Sequence, residues 1–370
     1  MRIVLEKRQS VSRYVRVLVP VASLVFALVF GAVLLLVSGV NPLTAYAAMA
    51  RGAFGDVHAL AETLVKAIPL MLTGLGVSIA FRMLFWNIGA EGQLAMGGFA
   101  ATGVALYASD VLPPWSVLPV AVLLGMVAGA VWAAIPAALR AYLQVNETIT
   151  TLMMNYIAIL LISHVYHGPW RDPEGYGFPG TARFPEVAWL PRIYDRAHMG
   201  LFFAVIAAAV LWFVLQRTRW GFELRITGEN PKAARYTGID IPRLILVAML
   251  ASGALCGLAG VCEVTGVMRR LQQGLTVGYG YTAIIVAWMS QLNPWGVLLV
   301  GFLLAALLVG GDQIQMAMGL PAAMGLVLQG ALLFPMLGGS LFAEYRLRIV
   351  RPHWKTPGRP AESLAGEIGS

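Results

Sequence analysis

Long apolar runs, each about 20 residues, are separated along this chain by short polar connections, the pattern of membrane-spanning helices. Ten such runs are predicted, at about 18–40, 63–85, 93–110, 115–139, 145–167, 199–216, 242–266, 279–292, 295–311 and 321–340. The first exceeds a signal-peptide core and lacks a small-residue cleavage site, so it is expected to be retained. The pattern predicts an all-α, polytopic transmembrane protein. One membrane domain at 18–340 lies between an N-terminal segment at 1–17 and a tail at 341–370.

Two interruptions carry more polarity than a connection needs. Phe85 to Gly98 reads FWNIGAEGQLAMGG, placing asparagine, glutamate, glutamine and four glycines inside membrane-like sequence. Irregular backbone at that depth is tolerated only where protein buries it or a cavity solvates it. Trp220 to Pro242 is a polar island in which Asn230 suits a helix N-cap, Pro231 the first helical position and Gly238 a left-handed stop. A two-turn helix over Asn230–Tyr236 is predicted. Alone it is far below the roughly 12 residues at which a helix becomes marginal in water, so something must dock against it. Glycine and proline around Asn293, Pro294 and Gly296 further suggest broken or re-entrant segments in the second half.

Composition supports the membrane class. Of 370 residues, 59% are apolar and 12% charged, with mean hydropathy +0.75, against roughly 25% charged in a soluble domain. The net charge of +8 does not point to nucleic acid, because its basic residues gather in loops. Arg2, Lys7, Arg8, Arg13 and Arg16 face one acid, Glu6, before the first span. The island at 217–242 and the tail carry similar excesses, so both termini and the island are expected in the cytoplasm. The 168–198 connection has balanced charge and fits the outer side. Arg269 and Arg270 oppose this scheme, falling in a connection that it places outside.

No G-x-x-x-x-G-K-[ST] loop, H-E-x-x-H motif or Cys/His cluster is present, so no catalytic site, metal or cofactor is expected in this chain. Cys256 and Cys262 share one apolar segment and read as small core residues. The five histidines are scattered. Glu91, Glu263 and Asp312 are the acids within or near spans, where a charge costs about 2.5–3.5 kcal/mol at the centre and is therefore a functional candidate. Each also has a bland reading, hydration at a helix end or pairing with a base such as Arg269. Phe85, Trp86, Tyr279, Tyr281 and Trp288 offer rings for a planar or sugar-like ligand, and equally suit the interfacial aromatic belt.

Four blocks together carry a resemblance: FWNIGAEGQLAMGGFAA at 85–101, NETITTLMMNYIA at 146–158, GFELRITGENPKAARYTGI at 221–239, and SGALCGLAGVCEVTGV with GYGYTAIIVAWM at 252–267 and 278–289. They resemble the permease subunits of bacterial ABC importers of the branched-chain amino acid, ribose and nucleoside type, over about residues 60–340, and most nearly the nucleoside branch. The resemblance implies a multi-pass subunit of the bacterial inner membrane, surrounded by lipid. It also implies three partners: a second permease, a cytoplasmic ATPase and an extracytoplasmic substrate-binding protein.

In such importers a short cytoplasmic helix seats in a groove of the ATPase. Here the coupling candidates are Arg225, Glu229, Asn230, Lys232, Ala233, Ala234, Arg235 and Tyr236, and bulky acids at Ala233 and Ala234 are expected to uncouple transport. Substrate-pathway candidates are Trp86, Asn87, Glu91, Gln93, Asn155, Glu263 and Trp288. Ribose-like sugars and branched-chain amino acids stay open beside nucleosides. A proton-coupled secondary transporter using Glu91 or Glu263 stays open as a different class, although no persuasive internal repeat supports it. A membrane enzyme lacks its reactive cluster.

Overall fold

A computed structural model describes residues 2–7, 13–319, 327, 330, 331, 334, 335, 338 and 345–350. The elements begin with β1 (Arg2–Lys7), α1 (Arg13–Val37), α2 (Pro42–Phe54), α3 (Val57–Phe81), α4 (Ala90–Tyr107), α5 (Pro114–Leu143) and α6 (Glu147–His167). There follow β2 (Arg192–Tyr194), β3 (Ala197–His198), α7 (Gly200–Arg217), α8 (Arg219–Glu229), α9 (Pro231–Tyr236) and α10 (Ile241–Cys262). A π-helical turn at Glu263–Met268 continues α10, and α11 (Tyr279–Met289), α12 (Pro294–Met318) and β4 (Tyr345–Val350) complete the order. Two compact units result, one of Met1–Val33 with Gly330–Ser370, the other of Leu34–Gln329.

In the larger unit α3 is central, every residue from Ala67 to Phe81 being buried. It packs against α10, α11, α12 and α7, while α4 and α5 complete a layer on α10. Small residues make that layer possible, as between membrane helices generally. A Cβ on Gly97 would stand 2.1 Å from the Gly257 carbonyl oxygen, and one on Gly260 1.9 Å from that of Leu94. Backbone therefore touches backbone along the α4–α10 contact, and that contact fixes where α4 begins.

The prediction of a helical, polytopic protein holds, with a different inventory of spans. Among the described residues six helices are long and apolar enough to cross a membrane, or seven if the bent pair Val25–Val37 and Pro42–Phe54 counts as one. The expected third and eighth spans fall short for different reasons. The segment α4 starts with Glu91 and Gln93 and is rich in glycine, which lowers its hydropathy. The helix α11 has 11 residues, about 16 Å at 1.5 Å per residue against a hydrocarbon core of about 30 Å. The expected tenth span at 321–340 and most of the tail at 341–370 lie outside the described residues.

Two helices and a strand pair stand out among the elements that were not expected. The residues read as a loop after the first span form α2, because Asn41 caps it through a bond from the Leu43 amide and Pro42 occupies its first position. Its Ala45 and Met49 join Leu35 and Ile314 in a core cluster. Residues 219–229, in the polar island ahead of the predicted helix, form α8, capped by the Thr218 side chain. In the smaller unit β1 pairs antiparallel with β4, Arg2 opposite Val350 and Lys7 opposite Tyr345. The alternation of polar and apolar residues in YRLRIV suits a strand, so the terminal segments are not featureless.

Candidate functional site

The residues after α3 turn sharply, with Leu84 at φ 57°, and lead into the polar break before α4. The N-cap position of α4 is Gly89, which supplies no side-chain cap, so other residues must meet its first amides. Asn155 on α6 does so: its Oδ1 accepts from the Gly92 amide at 2.8 Å, and its Nδ2 donates to the Ile88 carbonyl at 2.7 Å. The Asn87 Oδ1 accepts from the Gly89 amide at 3.1 Å and from Gln93 Nε2 at 3.0 Å. The Asn87 Nδ2 donates to Gln93 Oε1 at 3.2 Å and to Ser252 Oγ of α10 at 3.0 Å. A buried amide pair with every polar atom engaged is a rigid element.

Glu91 performs a related task for α11. Its carboxylate accepts from the Gly278 amide at 2.8 Å and the Gly280 amide at 2.5 Å. Those are orphan donors at the start of α11, where the helix dipole also favours a negative charge. Gly280 is so close that a Cβ there would stand 2.2 Å from the Glu91 nitrogen. Two short helices, α4 and α11, thus begin at one buried point, joined by one carboxylate. Asn155 completes the junction by donating to the Tyr281 hydroxyl at 3.3 Å.

The sequence candidates therefore separate by environment. Asn87, Glu91, Gln93 and Asn155 are buried and bonded to one another or to backbone. Trp86 and Trp288 remain 43% and 46% exposed and form an aromatic cluster with Phe81, the two indole centroids being 5.9 Å apart. Glu263 is buried on the π-helical turn, 11 residues beyond Ser252 and about 16 Å along the helix at 1.5 Å per residue, so it does not join the junction. Asp312 is exposed in the last turns of α12. Ser252 and Thr151 were missed by sequence reasoning. Thr151 lies one turn before Asn155 and its hydroxyl meets the Ile88 amide and Trp86 carbonyl, both at 3.3 Å, so the i, i+4 polar pair on α6 was the available signal.

A cavity of about 360 Å³ lies at the far end of α10, lined by Arg183, Arg192, Arg196, Arg269 and Arg270 together with Val65 and Gly266–Met268. The Arg269 guanidinium stacks 3.8 Å from the Trp189 ring centroid, with Arg183 at 5.1 Å on the same ring. Arg196 pairs with Glu62 at 2.9 Å. The Phe184 amide donates to the Arg269 carbonyl at 2.8 Å. Arg269 thus belongs to the packing of the 168–198 connection, whereas Arg270 is exposed at the cavity rim. His198 is buried beside them, its ring against Gly266, and burial pushes its pKa down to about 4.

The polar island folds as α8 and α9. The Asn230 Oδ1 accepts from the Lys232 and Ala233 amides at 3.1 and 3.2 Å, and Gly238 ends the segment at φ +80°, as the cap, proline and glycine require. Ala234 is fully buried, whereas Lys232, Arg235 and Tyr236 are exposed, Tyr236 at 93%. Acids at Ala234 would therefore disturb the packing of α9 itself, and the exposed face is where a partner can be tested. Arg225 and Glu229 are exposed on α8.

Residues 59–337 match the family described as branched-chain amino acid transport system / permease component. The glucose ABC transporter permease protein of Haloferax volcanii is 35% identical over 98% of both chains. The guanosine ABC transporter permease protein of Bacillus subtilis is 35% identical over 84% of this chain and 90% of its own length. The nucleoside ABC transporter permease protein of Lactococcus lactis is 31% identical over 86% and 90%. A helical bundle in which α4 and α11 begin at one buried carboxylate, matched by a family model over three quarters of its length, belongs to the branched-chain amino acid transport system permease family, and the chain is a multi-pass membrane permease component of an ABC transporter.

Proposed function

We propose that this chain lines the translocation path of an ATP-driven importer of nucleosides, with the ATPase a separate polypeptide seated on α9. The termini and the α8–α9 segment would then face the cytoplasmic side of the bacterial inner membrane. The observation that carries this reading is the build of α9, a capped helix with Ala234 buried and Lys232, Arg235 and Tyr236 left exposed. A nearly bare tyrosine beside exposed cations has no packing use inside the chain and suits a partner's groove. A solvated loop that merely fixed orientation would need no such helix.

Nucleosides are supported by the guanosine and nucleoside relatives and by the half-exposed indoles of Trp86 and Trp288, which suit a planar base. The glucose relative favours simple sugars as a second reading. Solute would arrive at the arginine-lined cavity, whose five guanidinium groups suit carboxylates on an extracytoplasmic binding protein. It would then pass Glu263 and the indoles. Asn87, Glu91, Gln93 and Asn155 would hold the path open without touching solute. A second permease subunit completes the path in this reading.

In the assembled complex, Arg235→Glu combined with Tyr236→Asp is expected to lower ATP-driven uptake by about tenfold or more, as for the loss of an interface anchor. Co-purification of the ATPase should fall with it, while the melting temperature of the chain stays unchanged because both side chains are exposed. Parent-like uptake and co-purification would exclude α9 as the seat.

A further inference from the structure

The C-cap of α3 and the first turn of α4 grip α11 at its two ends. Glu91 holds its first amides, and Arg82, the C-cap of α3, reaches its other end, donating from Nη2 to the Leu292 carbonyl at 2.6 Å. That carbonyl sits in the turn joining α11 to α12. Gln291 and Leu292 there have φ of 52° and 58°, a left-handed pair that non-glycine residues adopt only when surrounding contacts hold them. The Arg82 bond is such a contact.

The same residue is the floor on which α8 rests. A Cβ on Gly228 of α8 would stand 2.0 Å from the Arg82 carbonyl oxygen and 3.4 Å from the Met83 Cα. No side chain separates α8 from this backbone, so α8 cannot move toward the bundle without moving Arg82. Arg225 of α8 brings a like charge near the partly buried Arg82 guanidinium. The Arg82 Nε is buried and has no hydrogen-bond partner among the described residues, so the group is not placed for its own satisfaction. Beyond the turn, Trp288 packs on Phe81 and Trp86, at centroid distances of 6.0 and 5.9 Å. Movement of the turn is therefore movement of those indoles.

We propose that Arg82 is a positioning residue that carries displacement of the α8–α9 segment into α11 and its aromatic cluster. The proposal rests on α9 being the seat of the ATPase. Arg82 makes no contact with solute or nucleotide; it makes α8, the α11–α12 turn and the Glu91 junction move as one body.

The test uses the full complex in proteoliposomes, measuring ATP hydrolysis and uptake of labelled guanosine and labelled glucose in the same preparation. Arg82→Met keeps an unbranched apolar stem and removes every donor. The ATPase should still co-purify and hydrolyse ATP at the parent rate, while solute moved per ATP falls by about tenfold, within the range of a coupling between sites. Arg82→Lys, which restores a donor of similar reach, should recover most of that ratio. A merely structural arginine would change assembly and stability in both variants and leave the ratio alone. Gly228→Ala is the second variant, because it must push α8 off the Arg82 carbonyl while leaving the bond to Leu292. It should lower the ratio alone, and a parent-like ratio overturns the relay even if Arg82→Met fails to assemble. Loss of ATPase association in the Arg235→Glu, Tyr236→Asp variant, beside an unchanged ratio in the Arg82 and Gly228 variants, would leave the seat standing and remove only the relay.

Discussion

Alanine at Glu91 is expected to abolish uptake and to lower the melting temperature of the purified chain. The carboxylate is buried and accepts two backbone amides at the start of α11. Removing it leaves both unpaired, at about 1–3 kcal/mol each. Membrane surroundings give them no water to turn to. Glutamine keeps one accepting oxygen but turns an NH₂ group toward the second amide, so Glu91→Gln should be intermediate in both measurements. The comparison separates two roles for this acid. A proton-carrying Glu91 would lose uptake in both variants with the melting temperature of the parent. A junction residue loses stability and uptake together, graded by the number of amides left unpaired.

A methyl group at Gly260 is expected to do comparable damage from a position that touches no polar group of the junction. Its Cβ would stand 1.9 Å from the Leu94 carbonyl oxygen and 2.8 Å from the Gly98 nitrogen. Backbone cannot swing aside as a side chain can, so α4 and α10 must separate, at a cost of about 3 kcal/mol or more, the upper part of the range for overpacking. Separation would carry Glu91 and Gln93 away from their partners, since both lie in the first turn of α4. Gly103→Ala on α4 is the control. Its Cβ would meet only the Trp170 ring, at 3.3 Å, and that ring can give by the few tenths of an ångström needed. Thermal unfolding of the two variants in detergent should therefore show a large drop for Gly260→Ala and almost none for Gly103→Ala. Equal melting temperatures would mean that the α4–α10 contact is looser than described.

What could be read in the sequence was local. Asn230, Pro231 and Gly238 specify α9 through capping, a fixed φ and a left-handed stop, all of which act within a few residues. The Phe85–Gly98 break was legible for the same reason, since its polarity contradicts its surroundings. The function of that polarity was not legible. Glu91 finds Gly278 and Gly280 almost 190 residues away, a pairing that neither periodicity nor composition encodes. The same holds for Ser252 with Asn87. The stacking of Arg269 on Trp189 was not legible either, because a loop arginine reads alike whether it faces solvent or covers a ring. The expected third and eighth spans do not count as full spans for reasons a run of apolar residues hides, the polar and glycine-rich start of α4 and the 11 residues of α11.

The central claim, import driven by ATP in a partner chain, is tested most directly by uptake into proteoliposomes holding this chain, its second permease and the binding protein, with and without the ATPase. Labelled nucleosides, sugars and amino acids should be offered together with ATP, and again with a protonophore. The account predicts uptake of a nucleoside that requires both ATPase and ATP and is indifferent to the protonophore. Uptake that persists without the ATPase and collapses with the proton gradient would contradict it.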